Sequence, residues 1–198
     1  MASSDYKSIS QVQQEYQIRY AEAHFIDAKR AAVSSIFQAE FDFSLEHIDV
    51  FTSEAARSES VIFPILREAY KPHKDKFSFW IQKSIQFNAV LSGTPDYLFG
   101  TKSELGKTVL EFPLVLIAEA KKNDFEQGWG QCLIELITAQ KLNNDSQKIV
   151  YGIVTDGKLW EFARLQEQVF TKHSQSYTID DLPLLFGVLE FVLKAAAV

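Results

Sequence analysis

The chain has a single cysteine, Cys132, among 198 residues. A disulfide framework is excluded, and a reducing, cytoplasmic compartment is expected. Its four histidines, His24, His47, His73 and His173, are scattered without zinc-ligand spacing. Eight glycines and five prolines are too few for a disordered or collagen-like chain, and no fixed-period repeat is present. Long hydrophobic runs are also missing. The longest apolar stretch, residues 182–193, is too short to span a bilayer and carries Glu190, so no membrane partner is expected. Residues 1–10 show no charged segment followed by an apolar one, and a secretory leader is not expected. No phosphate-binding loop with its lysine and no Ser-His-Asp or Cys-His motif appears. Positive charge is scarce: 20 Lys and Arg face 26 Asp and Glu, for a net charge of −6. That balance is not the one expected of a nonspecific nucleic-acid binder.

Apolar residues make up 46% of the chain and aromatic residues 13%, enough for one core and hence a single domain over residues 1–198. Val12, Tyr16, Ala23, Ile26, Val33 and Phe37 recur at helical spacing, so a long N-terminal helix is expected over residues 10–38. Residues 41–50 read as a loop. Thr52 or Ser53 caps a second helix that runs to Tyr70 and is kinked or restarted at Pro64. Strands are expected at 77–88, 96–100 and 114–119, with 102–107 as a connecting loop. Residues 123–130 read as a loop and 131–142 as an apolar helix. Asp156-Gly157 is a two-residue turn between strands 149–155 and 158–165; 169–171 is a short edge strand, and residues 181–195 form a C-terminal helix. The sum is an α/β domain with a mixed sheet flanked by helices, its core spanning about residues 52–165.

The informative residues are short pieces in a fixed order: Thr94-Pro95-Asp96-Tyr97, then Ile117-Ala118-Glu119-Ala120-Lys121, then Gln131 opening the apolar helix. Side chains alternate faces along a strand, so Glu119 and Lys121 share one surface while Ala120 points behind them. They stand at the carboxyl end of a strand that reads as buried on both faces, where ligand sites of α/β sheets tend to lie. Asp96 is also compatible with a simple Pro-Asp turn, and Glu119 with Lys121 is compatible with a surface ion pair. Gln131, Glu135 and Thr138 form one polar stripe on the apolar helix, facing either solvent or a cleft. Backbone N–H groups near Gly128-Trp129-Gly130 are placed to meet a phosphate, with Trp129 as a stacking face or a core residue. Glu54 shares a helical stripe with Val61, Ile62 and Ile65, which turns a carboxylate inward and demands a partner: a metal, Lys121 or Arg57. Lys71, His73, Lys74, Lys76, Lys83, Lys102 and Lys107 form a basic stretch expected around the site.

In this order the pieces resemble the PD-(D/E)XK nuclease superfamily, and in particular the small N-terminal nuclease domain of type I restriction enzyme R subunits and related stand-alone bacterial proteins. The similar residues are Ser53-Glu54-Ala55-Ala56-Arg57 with Ile62, Pro64 and Leu66; Gly93 to Tyr97; Glu119-Ala120-Lys121; Gln131; and Tyr151 to Gly157 with Trp160 and Phe162. Arg57 stands one position early relative to the family's pattern. The resemblance implies a restriction-endonuclease-like mixed sheet and a hydrolase that cuts phosphodiester bonds in DNA, in restriction, defence or repair. It implies Asp96 and Glu119 as ligands of Mg2+ or Mn2+, joined by Glu54, with Lys121 orienting or deprotonating the attacking water and Gln131 and Glu54 in support. The alternative is a catalytically inactive module that keeps the fold for nucleic-acid or protein binding. Motor and sequence-recognition functions belong, on this reading, to partner subunits, and the terminal helices are candidates for a homodimer interface.

Overall fold

In the computed structural model, which describes residues 6–122 and 124–198, the apolar runs pair as one sheet and the helices cover both its faces. The elements in chain order are α1 (Ile9–Tyr16), β1 (Arg19–Ala23), α2 (Ser35–His47), α3 (Glu54–Arg57), α4 (Phe63–Tyr70), β2 (Phe77–Ile81), β3 (Ile85–Gln86), β4 (Ser92–Gly93), β5 (Tyr97–Thr101), β6 (Glu111–Ala120), α5 (Phe125–Asn143), β7 (Val150–Thr155), β8 (Leu159–Gln166), β9 (Val169–His173), β10 (Tyr177–Thr178) and α6 (Leu182–Ala196). The strand order is β1-β9-β8-β7-β6-β5-β2, with β10 also pairing with β8. β6 and β7 run parallel, joined by α5 as the crossover, and β1 lies parallel to β9. The remaining pairs are antiparallel. The protein is thus a mixed α/β fold with a mixed sheet between helices.

Alternation along the strands divides the core in two. Tyr151, Ile153, Trp160 and Phe162 face α2, α4 and α6; Val150, Val154, Ala163 and Leu165 face α1 and α5. β7 is buried along its whole length, as befits a central strand with helices on either side. The β7–β8 hairpin turns at Asp156-Gly157 as expected, with Gly157 at φ +89°, a conformation that favours glycine.

The long N-terminal helix expected over residues 10–38 is not formed. α1 ends at Gln17, which takes φ 57°, and β1 then adds to β9. The physical reason lies in where the apolar residues go. Val12 packs in the α5-side core, and Ile26 and Phe37 pack in the α6-side core, so the apolar stripe serves opposite faces of the sheet and no single helix reaches both. Ser34 then caps α2 by accepting from the Phe37 N–H, and α2 runs through most of the expected loop at 41–50. The expected 77–88 strand also divides. Gln82 adopts φ 47° and donates its N–H to the Asp96 carbonyl, while Ile85–Gln86 fold back on Ser92–Gly93.

Ser53 caps α3 through the Ala56 N–H, and α3 continues into α4 through Ser58–Ile62, wound with the wider π-type turn. Pro64 sits in the first turn of α4. Proline cannot donate to the preceding turn, and the widened winding accommodates the break. Among the described residues no helix is long and apolar enough to cross a membrane.

The segment after β1 is strapped to α6, with the Ala31 N–H donating to the Pro183 carbonyl at 2.8 Å. A Cβ at Gly187 would overlap the Lys29 carbonyl oxygen. Gly187→Ala is therefore expected to cost about 1–3 kcal/mol, the usual range for overpacking, read as a lower urea midpoint; an unchanged midpoint would show that the strap gives way freely.

Candidate functional site

β5 and β6 are in antiparallel register with Tyr97 opposite Ala118, and the next step along that register sets Asp96 opposite Glu119. The Asp96 Oδ2 accepts the Ala120 N–H at 2.8 Å, which ties the start of β5 to the end of β6. Ala120 packs into the α6-side core. Glu119 and Lys121 project to the other side, with the Lys121 Nζ 3.4 Å from the Glu119 Oε2. Glu119 is 2% exposed.

α5 completes the site from above. It is capped by Asp124, whose Oδ1 accepts the Gln127 N–H at 2.9 Å. A Cβ at Gly128 would lie 2.9 Å from the Lys121 Cγ and 2.8 Å from the Val154 Cγ1, so the glycine leaves room for the lysine stem. Two turns further on, Glu135 is fully buried and its carboxyl group meets that of Glu119. Gly93 makes space for it, since a Cβ there would overlap the Glu135 side chain.

The electrostatics follow from this crowding. Burial, reinforced by the Asp96 charge, pushes the Glu119 pKa up to about 7 against the opposing pull of Glu135 and Lys121. Burial also raises Asp96, despite the Ala120 N–H and Lys121. Burial works against the charge of Lys121, yet Glu119, Asp96 and Glu54 together hold its pKa above the ordinary lysine value. The nearby Cys132 thiol is pushed well up by burial and by Glu119 and Glu135, which makes it a poor nucleophile.

A cleft of about 460 Å³ opens beside Asp96, lined among others by Glu54, Ser58, Glu59, Phe63 and Gln82. Glu54 does not point into the core. It is exposed at the first position of α3, where a carboxylate complements the helix N-terminus. The π-wound turn puts Glu54 out of phase with Val61, Ile62 and Ile65. Arg57 takes the buried place instead, donating to the carbonyls of Asp156 and Phe51 at 2.9 and 3.0 Å, and so anchors α3 to the β7–β8 turn rather than pairing with Glu54.

The other expected residues are distributed as follows. Gln131 is half-buried on α5, and it is Glu135, one turn later, that touches Glu119. The signal for Glu135 was the polar stripe it shares with Gln131 and Thr138; Thr138 satisfies its own hydroxyl on the Ile134 carbonyl. Gly128-Trp129-Gly130 lies inside α5, not in a loop before it; Asn123, the first residue of the expected loop, is outside the described residues. The Gly128 N–H is already bonded to the Asp124 carbonyl, and Trp129 is buried with its Nε1 donating to Glu161 at 2.6 Å. Neither offers a phosphate or stacking contact. The basic stretch is also mostly elsewhere. Phe77 pairs with Thr101, so Lys74, Lys76 and Lys102 gather at the opposite end of β5 from Asp96. Only Lys83, over the Trp80 ring, stays near the cleft.

Among the described residues no three His, Cys, Asp or Glu side chains converge to hold a metal ion; Glu54 in particular does not join Asp96 and Glu119 in a three-carboxylate cage. Comparison with known proteins finds no matching family model and no similar curated protein.

Glu119 carries a stability signature. Its folded pKa of about 7 lies above the ordinary value of 4.5, so the neutral form stabilises the fold below pH 4.5 and that contribution is lost as pH rises through 7. In chelator-treated buffer, Glu119→Gln is expected to melt higher than the parent at pH 8 and with little difference at pH 4.5. A variant that melts lower at pH 8 would contradict the assignment.

Proposed function

We propose that this chain is a metal-dependent nuclease of restriction-endonuclease-like fold that hydrolyses phosphodiester bonds in DNA, with Asp96, Glu119 and Lys121 as its working residues. The observation that carries this reading is the buried Glu119, set against the carboxyl group of Glu135 and opposite Asp96, with its pKa raised to about 7. Leaving a carboxyl group in that state costs stability, which is the mark of a site kept for chemistry. On this reading Asp96 and Glu119 would hold a magnesium or manganese ion: a cation would relieve both raised acids, and Mg2+ typically takes only one or two carboxylates, completing its shell with water and substrate phosphate. Bound there, the ion would supply Lewis-acid polarisation of a phosphoryl oxygen and a more acidic water.

The chain's own groups divide the remaining work. Lys121 has its pKa raised by three carboxylates, so it acts as a fixed ammonium that orients water and stabilises developing negative charge, not as a general base. Glu135 holds Glu119 from the α5 side. Glu54 lies at the cleft lining and biases Lys121 through its charge. Gln131 supports the same face of α5. Motor and sequence recognition belong, on this reading, to partner subunits; of the two terminal helices that would build a homodimer interface, the long N-terminal one is not formed.

A catalytically inactive module for nucleic-acid or protein binding is the competing function; the acidic cleft lining of Glu54 and Glu59 and the distance of the lysine stretch from Asp96 favour its protein-binding form. The two readings separate on cleavage of supercoiled, linear and single-stranded DNA with Mg2+ or Mn2+. Asp96→Ala and Lys121→Ala should each slow cleavage by about a hundredfold or more. Calorimetric Mn2+ binding should be lost in Asp96→Ala and kept in Lys121→Ala. Equal cleavage by both variants and the parent would sink the site; DNA binding by a parent that cuts nothing would establish the module.

A further inference from the structure

The path of the sheet ends at two open edges, β1 and β2. They are guarded differently. β1 carries Arg19 and Glu22, charges of the kind that keep an edge strand from pairing with another chain. β2 reads Phe77-Ser78-Phe79-Trp80-Ile81, with no charge and no proline, and its register with β5 has no bulge. Ser78, Phe79 and Trp80 are half-buried and Ile81 is 55% exposed, so solvent reaches the strand. Its free backbone groups are identified by the bonds it already makes. The Lys76 carbonyl accepts the Lys102 N–H and the Gln82 N–H donates to the Asp96 carbonyl, both at 3.0 Å, so Ser78 and Trp80 face β5 while Phe77, Phe79 and Ile81 direct their N–H and C=O groups outward. The Tyr70 hydroxyl donates to the outward Phe77 carbonyl, which retains a second acceptor site. Among the described residues no strand pairs with this edge.

Charge selects the occupant. Two copies of a chain with net charge −6 repel each other, and β2 offers an uncharged strip that is self-complementary about its middle residue. An antiparallel pairing centred on Phe79 sets Phe79 against Phe79 of the partner subunit and Phe77 against Ile81 of the partner subunit. All are outward-facing positions, so each pair exchanges N–H···O bonds across a two-fold axis. The same axis turns the second copy end for end. At one end of β2 lies the acidic cleft of Glu54, Glu59 and Asp96; at the other lie Lys74, Lys76 and Lys102, with Asp75 bonded to the first and last of them. Pairing therefore sets each lysine end against an acidic end. In this register Lys76 of the partner subunit stands opposite Gln82, two strand spacings, or roughly 10 Å, from Asp96.

We infer that this chain forms a two-fold dimer through antiparallel pairing of β2 with the β2 of a second copy, and that each copy brings its lysine end to the Asp96 cleft of the other. The interface stands without the phosphodiester reading; the task of the lysines, contacting the phosphates of a nucleic acid held at the cleft, rests on it. The lysine stretch is remote from the cleft within one chain and adjacent to it in the pair. A strand of five residues makes a small interface, so the association is of the weak, exchanging class.

Sedimentation velocity of the full chain from about 5 to 500 μM tests the interface. The mass of the parent is expected to rise with concentration from one copy to two and to stop there. Ile81→Pro removes an outward donor that β5 does not use, a place where an edge strand tolerates proline, and Ile81→Lys puts a charge on the exposed edge. Both should stay monomeric at the highest concentration while keeping the circular dichroism spectrum of the parent. A parent that is monomeric throughout would overturn the inference and leave the edge to a strand of another protein; growth beyond two copies, or dimers that persist in either folded variant, would overturn it as well. The exchange of lysines is tested by mixing variants at a concentration where the parent is dimeric. Lys76→Glu is expected to slow DNA cleavage about tenfold at low salt, and Asp96→Ala removes the site acid. In an equimolar mixture about half of the dimers carry one complete cleft, so activity should recover to about a quarter of the parent's; no recovery above the two variants alone would overturn the supply of lysines by the partner. A parent that dimerises through β2 and cuts nothing supports the interface and overturns only the phosphodiester reading.

Discussion

The arrangement rests on one constraint: a carboxyl group is buried at the end of β6 where the sheet closes over it. Glu119 is enclosed by a lysine, a second glutamate and the strand that carries Asp96. Nearly every local feature nearby is explained by making room for that group or compensating it. Gly128 admits the Lys121 stem, and Gly93 admits Glu135. The Asp96 side chain occupies the N–H of Ala120, so the two strand ends cannot separate without exposing the acids.

The scaffold around the cluster is correspondingly stiff. β6 from Leu114 to its end and β7 along its whole length are buried and run side by side under α5, a geometry in which side-chain directions are set by the pleat. Arg57 staples α3 to the turn after β7 from the other side, with its guanidinium also stacked over Phe51. The cleft therefore lies between elements that are each fixed to the same sheet, which is what a preorganised site requires.

Much of the interior was legible from the sequence. The continuous apolar run before Glu119 marked a buried strand, and the Asp-Gly turn marked the β7–β8 hairpin. The strand pleat correctly put Glu119 and Lys121 on one face and Ala120 on the other. What failed was whatever depended on which face of the sheet a residue serves. Val12 and Ile26 read as one helical stripe because periodicity carries no information about layers, and they pack on opposite sides of the sheet. Glu54 failed for a different reason: one widened turn shifts the phase of a helical wheel, and proline announces a break without saying how it is absorbed. Glu135 was visible as part of a polar stripe, but only the packing of α5 on β6 distinguishes the member that touches Glu119 from the one a turn earlier.

The parallel pairing of β1 with β9 has a consequence for how the chain is made. β1 precedes the other strands of the described sheet in sequence, and its hydrogen-bonding partner β9 follows all of them but β10. During translation the N-terminal segment must wait, with one strand edge open, until almost the whole sheet exists to receive it. Closure of β1 against β9 is then a late event that brings segments far apart in sequence into one layer. Until it happens, both faces of the sheet lack a part of their cover.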